Sequence, residues 1–320
     1  MSEETIIQEN TTPTAVTPMA PPAPTAVTPM APPAPPPEYP VKTWHLVVAY
    51  DGTDYCGWQV QSTLKTVQGE IRKRLRLMLR CPELVVGGSS RTDAGVHALD
   101  QQVCFTAPTP PEFTASEFVR KLNRWLPADI IVLSATEREA GFNVRFGNYG
   151  KAYTYCLSPG HRTHPLVSRY VWRTPHELDI DAMRQAAAYL QGEHDFASFA
   201  ANPGRDIGST VRNLYRLELV EQDGLLYVVA VGESFLYKMV RGLTGYLVHV
   251  GQGYAKPEDV LRVMEAKNRS EAADSAPAKG LFLAKVFWQP DEWKTYTPKL
   301  PPFFQTISSI KYLWLSIHQT

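Results

Sequence analysis

The chain has 320 residues, with 32 Lys+Arg against 32 Asp+Glu, a formal net charge of zero. Hydrophobic residues make up 44% and aromatics 11%, which excludes a wholly disordered chain. No run of about 18 apolar residues is present, so no membrane-spanning helix is expected.

The first forty residues differ from the rest. They hold 12 of the 27 prolines, four glutamates and no Lys or Arg. TAVTPMAPPAP occurs at 14–24 and again at 25–35, a stretch too poor in buriable surface to offset its ordering entropy. A disordered tail with polyproline II character is expected over 1–40. Without it, residues 41–320 carry 32 basic and 28 acidic side chains, a net of +4, which permits an RNA partner without diagnosing one. The start, MSEETIIQENTT, lacks the basic and apolar regions of a secretory signal, so a cytoplasmic location is expected.

Folding is expected from Val41. Trp44, Leu46, Val48 and Tyr50 alternate as in a strand. Residues 66–80 read as a helix capped by Thr66, with Val67, Ile71, Leu75 and Met78 as its apolar stripe. A short strand at Leu84–Gly87, a loop at Gly88–His97 and a strand at Asp100–Thr106 follow. Thr114 and Glu117 form a capping box for a helix carrying Phe118, Leu122, Trp125 and Leu126. A strand at Asp129–Ala135 completes a β-α-β-β-α-β order, the ferredoxin-like unit. The rhythm then repeats: a strand at Lys151–Leu157, a helix at Asp181–Leu190, and a hairpin of Val211–Val220 with Leu225–Val231 about Asp223-Gly224. Helices at Ser234–Val250 and Pro257–Asn268 and a strand at Leu281–Trp288 close it. The expected fold is therefore α/β: two ferredoxin-like halves, 41–148 and 149–289, with largely antiparallel sheets around a central cleft. Residues 290–320 form an extension of unknown role, in which Ile307, Ile310, Leu313 and Ile317 have helical spacing.

Cys56, Cys81, Cys104 and Cys156 form no C-x-x-C pair, and His161 and His164 have no metal-ligand company, so no metal site is expected. The sharpest segment is Ser90-Arg91-Thr92-Asp93-Ala94-Gly95-Val96-His97-Ala98, a loop between strands. Composition alone reads Asp93 as a turn or capping residue more readily than as a catalyst, and Arg91 as a surface cation. Tyr153 and Tyr155 read equally as alternating strand residues, and Arg241 as a helix cation with a buried stem. Arg72, Arg76 and Arg80 lie four residues apart on one helix face, and Arg120 and Arg124 repeat that spacing on the next; two such rails suit RNA phosphates, or are ordinary solvated faces. Arg205, Arg212 and Arg216 form a further basic group.

The whole string changes the balance. RTDAGVHA at 91–98 resembles the G-R-T-D-A-G-V-H-A segment of the tRNA pseudouridine synthase A (TruA) family. Tyr50-Asp51-Gly52-Thr53 with Gly57-Trp58-Gln59, and Leu126-Pro127-Ala128-Asp129-Ile130, are similar to its opening motifs. Lys151-Ala152-Tyr153-Thr154-Tyr155, Met239-Val240-Arg241 with Gly245, and Gly280-Leu281-Phe282-Leu283 are similar to its later ones. The likeness spans residues 43–289. It implies an enzyme that isomerises uridine to pseudouridine at positions 38, 39 and 40 of the tRNA anticodon stem-loop, working as a homodimer without a cofactor. It implies Asp93 as the catalytic carboxylate, Arg241 as its partner, Tyr153 against the target base and Arg91 as a helper of base flipping. An arginine suits the partner role, since it cannot lose its own proton and favours an ionised carboxylate. The rivals are a non-catalytic tRNA-binding protein and a hydrolase using Asp93 with Asp100. Three departures stand out: Ser90 where the family usually has Gly, Asn143-Val144 for His-Ala, and Gly242 where Asn often follows the arginine. A Ser at 90 would be strained if that position needed a positive φ.

Overall fold

Residues 39–160, 163–202, 204, 208–298 and 301 are described by a computed structural model of the chain. The proline-rich repeat, the helix expected at 307–317, Arg205 and His161 lie outside the described residues.

The first half runs β1 (Val41–Tyr50), α1 (Val67–Met78), β2 (Gly87–Gly88), β3 (His97–Pro108), α2 (Ala115–Trp125) and β4 (Ile130–Arg138), the expected β-α-β-β-α-β order. Thr66 caps α1, its side chain accepting from the Gly69 N–H, and Val67, Ile71 and Leu75 are buried. The capping box of α2 is half realised. Thr114 accepts from the Glu117 N–H, but the Glu117 carboxylate turns outward to take two hydrogen bonds from Arg120. β2 falls later than the strand expected at Leu84–Gly87 and is only two residues long.

The second half comprises β5 (Gly150–Pro159), β6 (Trp172–Thr174), α3 (Ile180–Tyr189), β7 (Gly192–Asp195), β8 (Val211–Gln222), β9 (Leu225–Gly232), α4 (Met239–Gly251), α5 (Asp259–Ala266) and β10 (Leu281–Phe287). The β8–β9 hairpin turns at Asp223 and Gly224, both with positive φ (54° and 74°), as a two-residue turn of primed type requires. α4 starts five residues later than the apolar run from Ser234 suggests. Lys238 sits at φ 60°, a left-handed conformation that cannot continue a right-handed helix.

All ten strands join one sheet, ordered β4-β1-β3-β10-β5-β9-β8-β7, with β2 on β3 and β6 on β5. Within it, β4-β1-β3-β2 and β10-β5-β9-β8 repeat the same 4-1-3-2 antiparallel pattern, so each half is a ferredoxin-like unit. The seam between them is a parallel pairing of two long strands, where Phe282 and Leu283 of β10 face His97 and Ala98 of β3. It is short, and side chains extend it. The Asp100 carboxylate accepts from the Val286 N–H at 2.7 Å, past an irregularity in β10.

The helices form one large core with one face of the sheet. A smaller cluster, including Cys156, Tyr227, Val229 and Phe287, covers the other face of the second half. The extension begins there: Trp293 stacks on Tyr215 at 4.6 Å and Tyr296 meets Phe287 edge-on at 5.3 Å. Arg216 holds this segment by donating to the Trp293 and Tyr296 carbonyls, and it also pairs with Glu218. Arg212 donates to the Ser209 and Val211 carbonyls. The basic group expected from Arg212 and Arg216 is thus committed to holding backbone.

Candidate active site

The loop between β2 and β3 is caged by the residues that carry the sequence motifs. Its Thr92 accepts at the carbonyl from the Trp58 N–H (3.1 Å), while its hydroxyl pairs with the Tyr50 hydroxyl (2.7 Å). Gly57, at φ 84°, is required for the first contact, since a Cβ there would lie 2.6 Å from the Thr92 carbonyl oxygen. From β3, Gln101 is fully buried; it donates to the Ser90 carbonyl (2.8 Å) and accepts from the Ser90 N–H and the Ser89 hydroxyl. Nothing about its residue type in the sequence distinguished Gln101 from its neighbour Gln102. Its role is visible only once β3 lies beside the loop. Ser90 is not among the residues with positive φ, so serine is unstrained there.

Asp51 and His97 tie the loop across the seam. The His97 ring lies between Phe282 (4.7 Å) and Tyr170 (5.2 Å), its Nε2 donates to the Lys279 carbonyl, and its Nδ1 faces both the Gly52 N–H and Asp51. Burial opposes ionisation of Asp51, but its contact with His97 and hydrogen bonds from Thr53 and Tyr170 outweigh it and hold the carboxyl well below the usual carboxylate range. The role of His97 is thus to fix the loop. Asp129 likewise accepts from the Tyr55 hydroxyl, so two of the motif carboxylates are scaffold. Asp100 holds β10, as described above.

Asp93 stands apart from these. Its Oδ2 accepts from Arg241 Nη1 at 2.8 Å, and each of the two side chains is only 14% exposed. Arg241 is the third residue of α4, and its Nε donates to the Ala276 carbonyl at 2.7 Å, leaving the guanidinium one orientation. An ion pair 148 residues apart in sequence thus closes the two halves over the loop. Tyr153 of β5 lies beneath, flanked edge-on by Phe235 at 5.1 Å. Burial pushes its phenol up to about 12, with the Ser90 hydroxyl opposing and the Asp93 charge adding to the effect. At pH 7 it is a neutral hydrogen-bond donor. Tyr155, on the same strand face, donates to the Pro277 carbonyl and is structural. Asp93, Tyr153 and Arg241 are therefore brought together, with Arg91 exposed in the same loop.

The arginine rails divide. Arg72, Arg76 and Arg80 line one open groove along α1, of about 660 Å³, together with Lys73. Arg76 also holds the Leu84 carbonyl. On α2, Arg120 is paired with Glu117 and Arg124 is exposed, and neither lines that groove. The Gly242 departure has a physical reason: a Cβ there would lie 2.3 Å from the Phe199 carbonyl oxygen, so α4 approaches that backbone as only glycine permits.

Replacing Gln101 with Leu is expected to lower kcat by on the order of 100-fold with a smaller change in KM, because the loop that carries Asp93 loses its support and small misplacements are that costly. Steady-state kinetics of the variant against its melting curve check this. An unchanged kcat would show that the loop is held without Gln101.

Comparison with known proteins gives the chain its relatives. Residues 186–289 match a family model described as tRNA pseudouridine synthase. The tRNA pseudouridine synthase A of Latilactobacillus sakei is 39% identical over 248 residues, covering 77% of this chain and 98% of that protein. That of Thermosipho africanus is 39% identical over 249 residues (78% and 100%), and that of Chlamydia muridarum 41% over 250 residues (78% and 93%). Among solved structures, a Cbf5-Nop10-Gar1 complex matches with a TM-score of 0.32 and 13% identity, over 75% of this chain and 48% of that one, too slight a likeness to carry an argument.

Proposed function

The chain belongs to the tRNA pseudouridine synthase A family, and on that premise we propose that it isomerises uridines 38, 39 and 40 of the tRNA anticodon stem-loop, with Asp93 as the catalytic carboxylate. The observation that carries the reading is the Asp93–Arg241 ion pair, the one motif carboxylate set against a guanidinium beside an aromatic platform. Asp51, Asp100 and Asp129 are occupied in holding the scaffold.

The reaction suits these groups. The N1–C1′ bond breaks, the base turns, and a C5–C1′ bond forms; C5 gives up a proton and N1 gains one. Nothing is oxidised overall. A carboxylate can attack the sugar or base, or stabilise positive charge developing at C1′. Arg241 keeps Asp93 in one position throughout. The flipped base costs a few kcal/mol to extract, and stacking on Tyr153 returns about 1–3 kcal/mol. The neutral Tyr153 phenol donates a hydrogen bond and does not act as a base. Arg91 sits in the loop to help displace the base, and Arg72, Arg76 and Arg80 line a groove suited to phosphates. A homodimer and a cytoplasmic location belong to the same reading; no helix among the described residues is long and apolar enough to cross a membrane.

The test is incubation with unmodified tRNA followed by pseudouridine mapping at single-nucleotide resolution. Product confined to positions 38–40 is expected. Bound tRNA with no product would favour a non-catalytic RNA-binding protein, and product elsewhere would overturn the assigned positions.

A further inference from the structure

Lys151 is a cation that the mechanism above does not use. It lies on β5 two residues before Tyr153 and on the same strand face, partly buried. Its Nζ donates to the Ser89 carbonyl at 3.0 Å, four residues before Asp93. Among the described residues no carboxylate lies within ion-pair distance of it. The buried arginine of the site, Arg241, has Asp93. An ammonium has three N–H donors, and Ser89 takes one. One residue further along the same loop, the buried Ser90 hydroxyl faces the Tyr153 phenol and not Lys151. Lys151 thus keeps donor capacity where loop and strand face each other.

A cation taken out of water without a counter-charge is unfavourable, and the arrangement becomes favourable when a ligand brings the anion. We propose that Lys151 is the site that neutralises one phosphate of the bound RNA, through the N–H donors that the Ser89 carbonyl leaves free. This rests on the reading of the chain as a tRNA-modifying enzyme and adds a residue to it. Burial alone pushes the Lys151 ammonium down to about 8, so it remains mostly charged at pH 7.

The experiment measures tRNA binding to the full chain across a salt series for wild type, Lys151→Gln and Lys151→Arg, with pseudouridine yield read on the same samples. Gln keeps an N–H donor for the Ser89 carbonyl and removes the charge, which separates a phosphate role from a loop-holding one. The slope of log K against log salt is expected to flatten by about 0.7–0.9 in Lys151→Gln and to stay at the wild-type value in Lys151→Arg. An unchanged slope in a folded Lys151→Gln protein overturns the proposal. Should that variant not fold, Lys151→Met, which keeps the apolar stem and buries no charge, is read the same way. Wild type that binds tRNA without forming pseudouridine would overturn the catalytic reading and leave the slopes to decide Lys151. Wild type that does not bind tRNA would overturn both.

Discussion

Asp93→Asn is expected to lower kcat/KM for pseudouridine formation by on the order of 10⁴-fold or more, the scale seen when a catalytic group central to the chemistry is removed. Asn is nearly isosteric and its Oδ1 can still accept from Arg241 Nη1, now 2.8 Å from Asp93. The seam between the halves should therefore survive, and tRNA affinity should stay near that of wild type. What is lost is the negative charge, which none of the other motif carboxylates can replace, because Asp51, Asp100 and Asp129 are held in other hydrogen bonds. Single-turnover kinetics with a parallel binding curve separate the two quantities. Appreciable turnover by this variant would remove Asp93 from the chemistry, whatever the family resemblance suggests.

The second large effect is on stability. Gly242→Asn, which installs the residue that the resemblance leads one to expect there, is expected to destabilise this protein by about 3 kcal/mol, the upper part of the range for overpacking a tight site. The obstacle is backbone, not a mobile side chain. The new Cβ would lie 2.3 Å from the Phe199 carbonyl oxygen and 3.1 Å from its carbon. The short turn Ala197–Phe199 cannot yield easily, because its Ser198 hydroxyl donates to the Val263 carbonyl of α5. α4 would have to lift instead, and with it Arg241. Activity should therefore fall alongside stability. Gly242→Ala carries the same Cβ without the amide and should show most of the effect. Urea melts of both variants settle the cause: a Gly242→Ala protein as stable as wild type would show that α4 can shift away from Phe199 at little cost.

Particular residues show where sequence reasoning reached and where it stopped. Thr66 and Thr114 were legible as caps because capping is a local bond between a side chain and an N–H three residues on. The Asp223-Gly224 turn was legible because positive φ at two successive residues selects a narrow set of residue types. The start of α4 was not, because an apolar stretch continues through Phe235 and Leu236 and nothing in a lysine announces the left-handed conformation of Lys238. β6 and β7 were missed for a related reason: at three and four residues they are too short to show a period, and they exist because a longer strand offers its edge. At the site, the resemblance named Asp93, Tyr153 and Arg241, and the fold brings these three together. Lys151 stood inside a motif without an assigned role, and Gln101 acts on a loop that only the fold brings beside it, so its residue type did not mark it.

The sequence alone determined what depends on neighbours along the chain: the order of strands and helices, their caps and turns, the repeated rhythm of two halves, and the family to which the motifs point. Only the tertiary structure decided that the two halves share one sheet through the two-residue pairing of β3 with β10, with Asp100 and His97 reaching across it. It alone decided which carboxylates serve as scaffold and which one faces an arginine 148 residues away. It also decided that glycine is required at 242. The physical reason is range. Backbone conformation and capping are set within a few residues, whereas an ion pair, a close approach of two backbones and a partly buried lysine without a counter-charge are properties of segments that meet only when the core has formed.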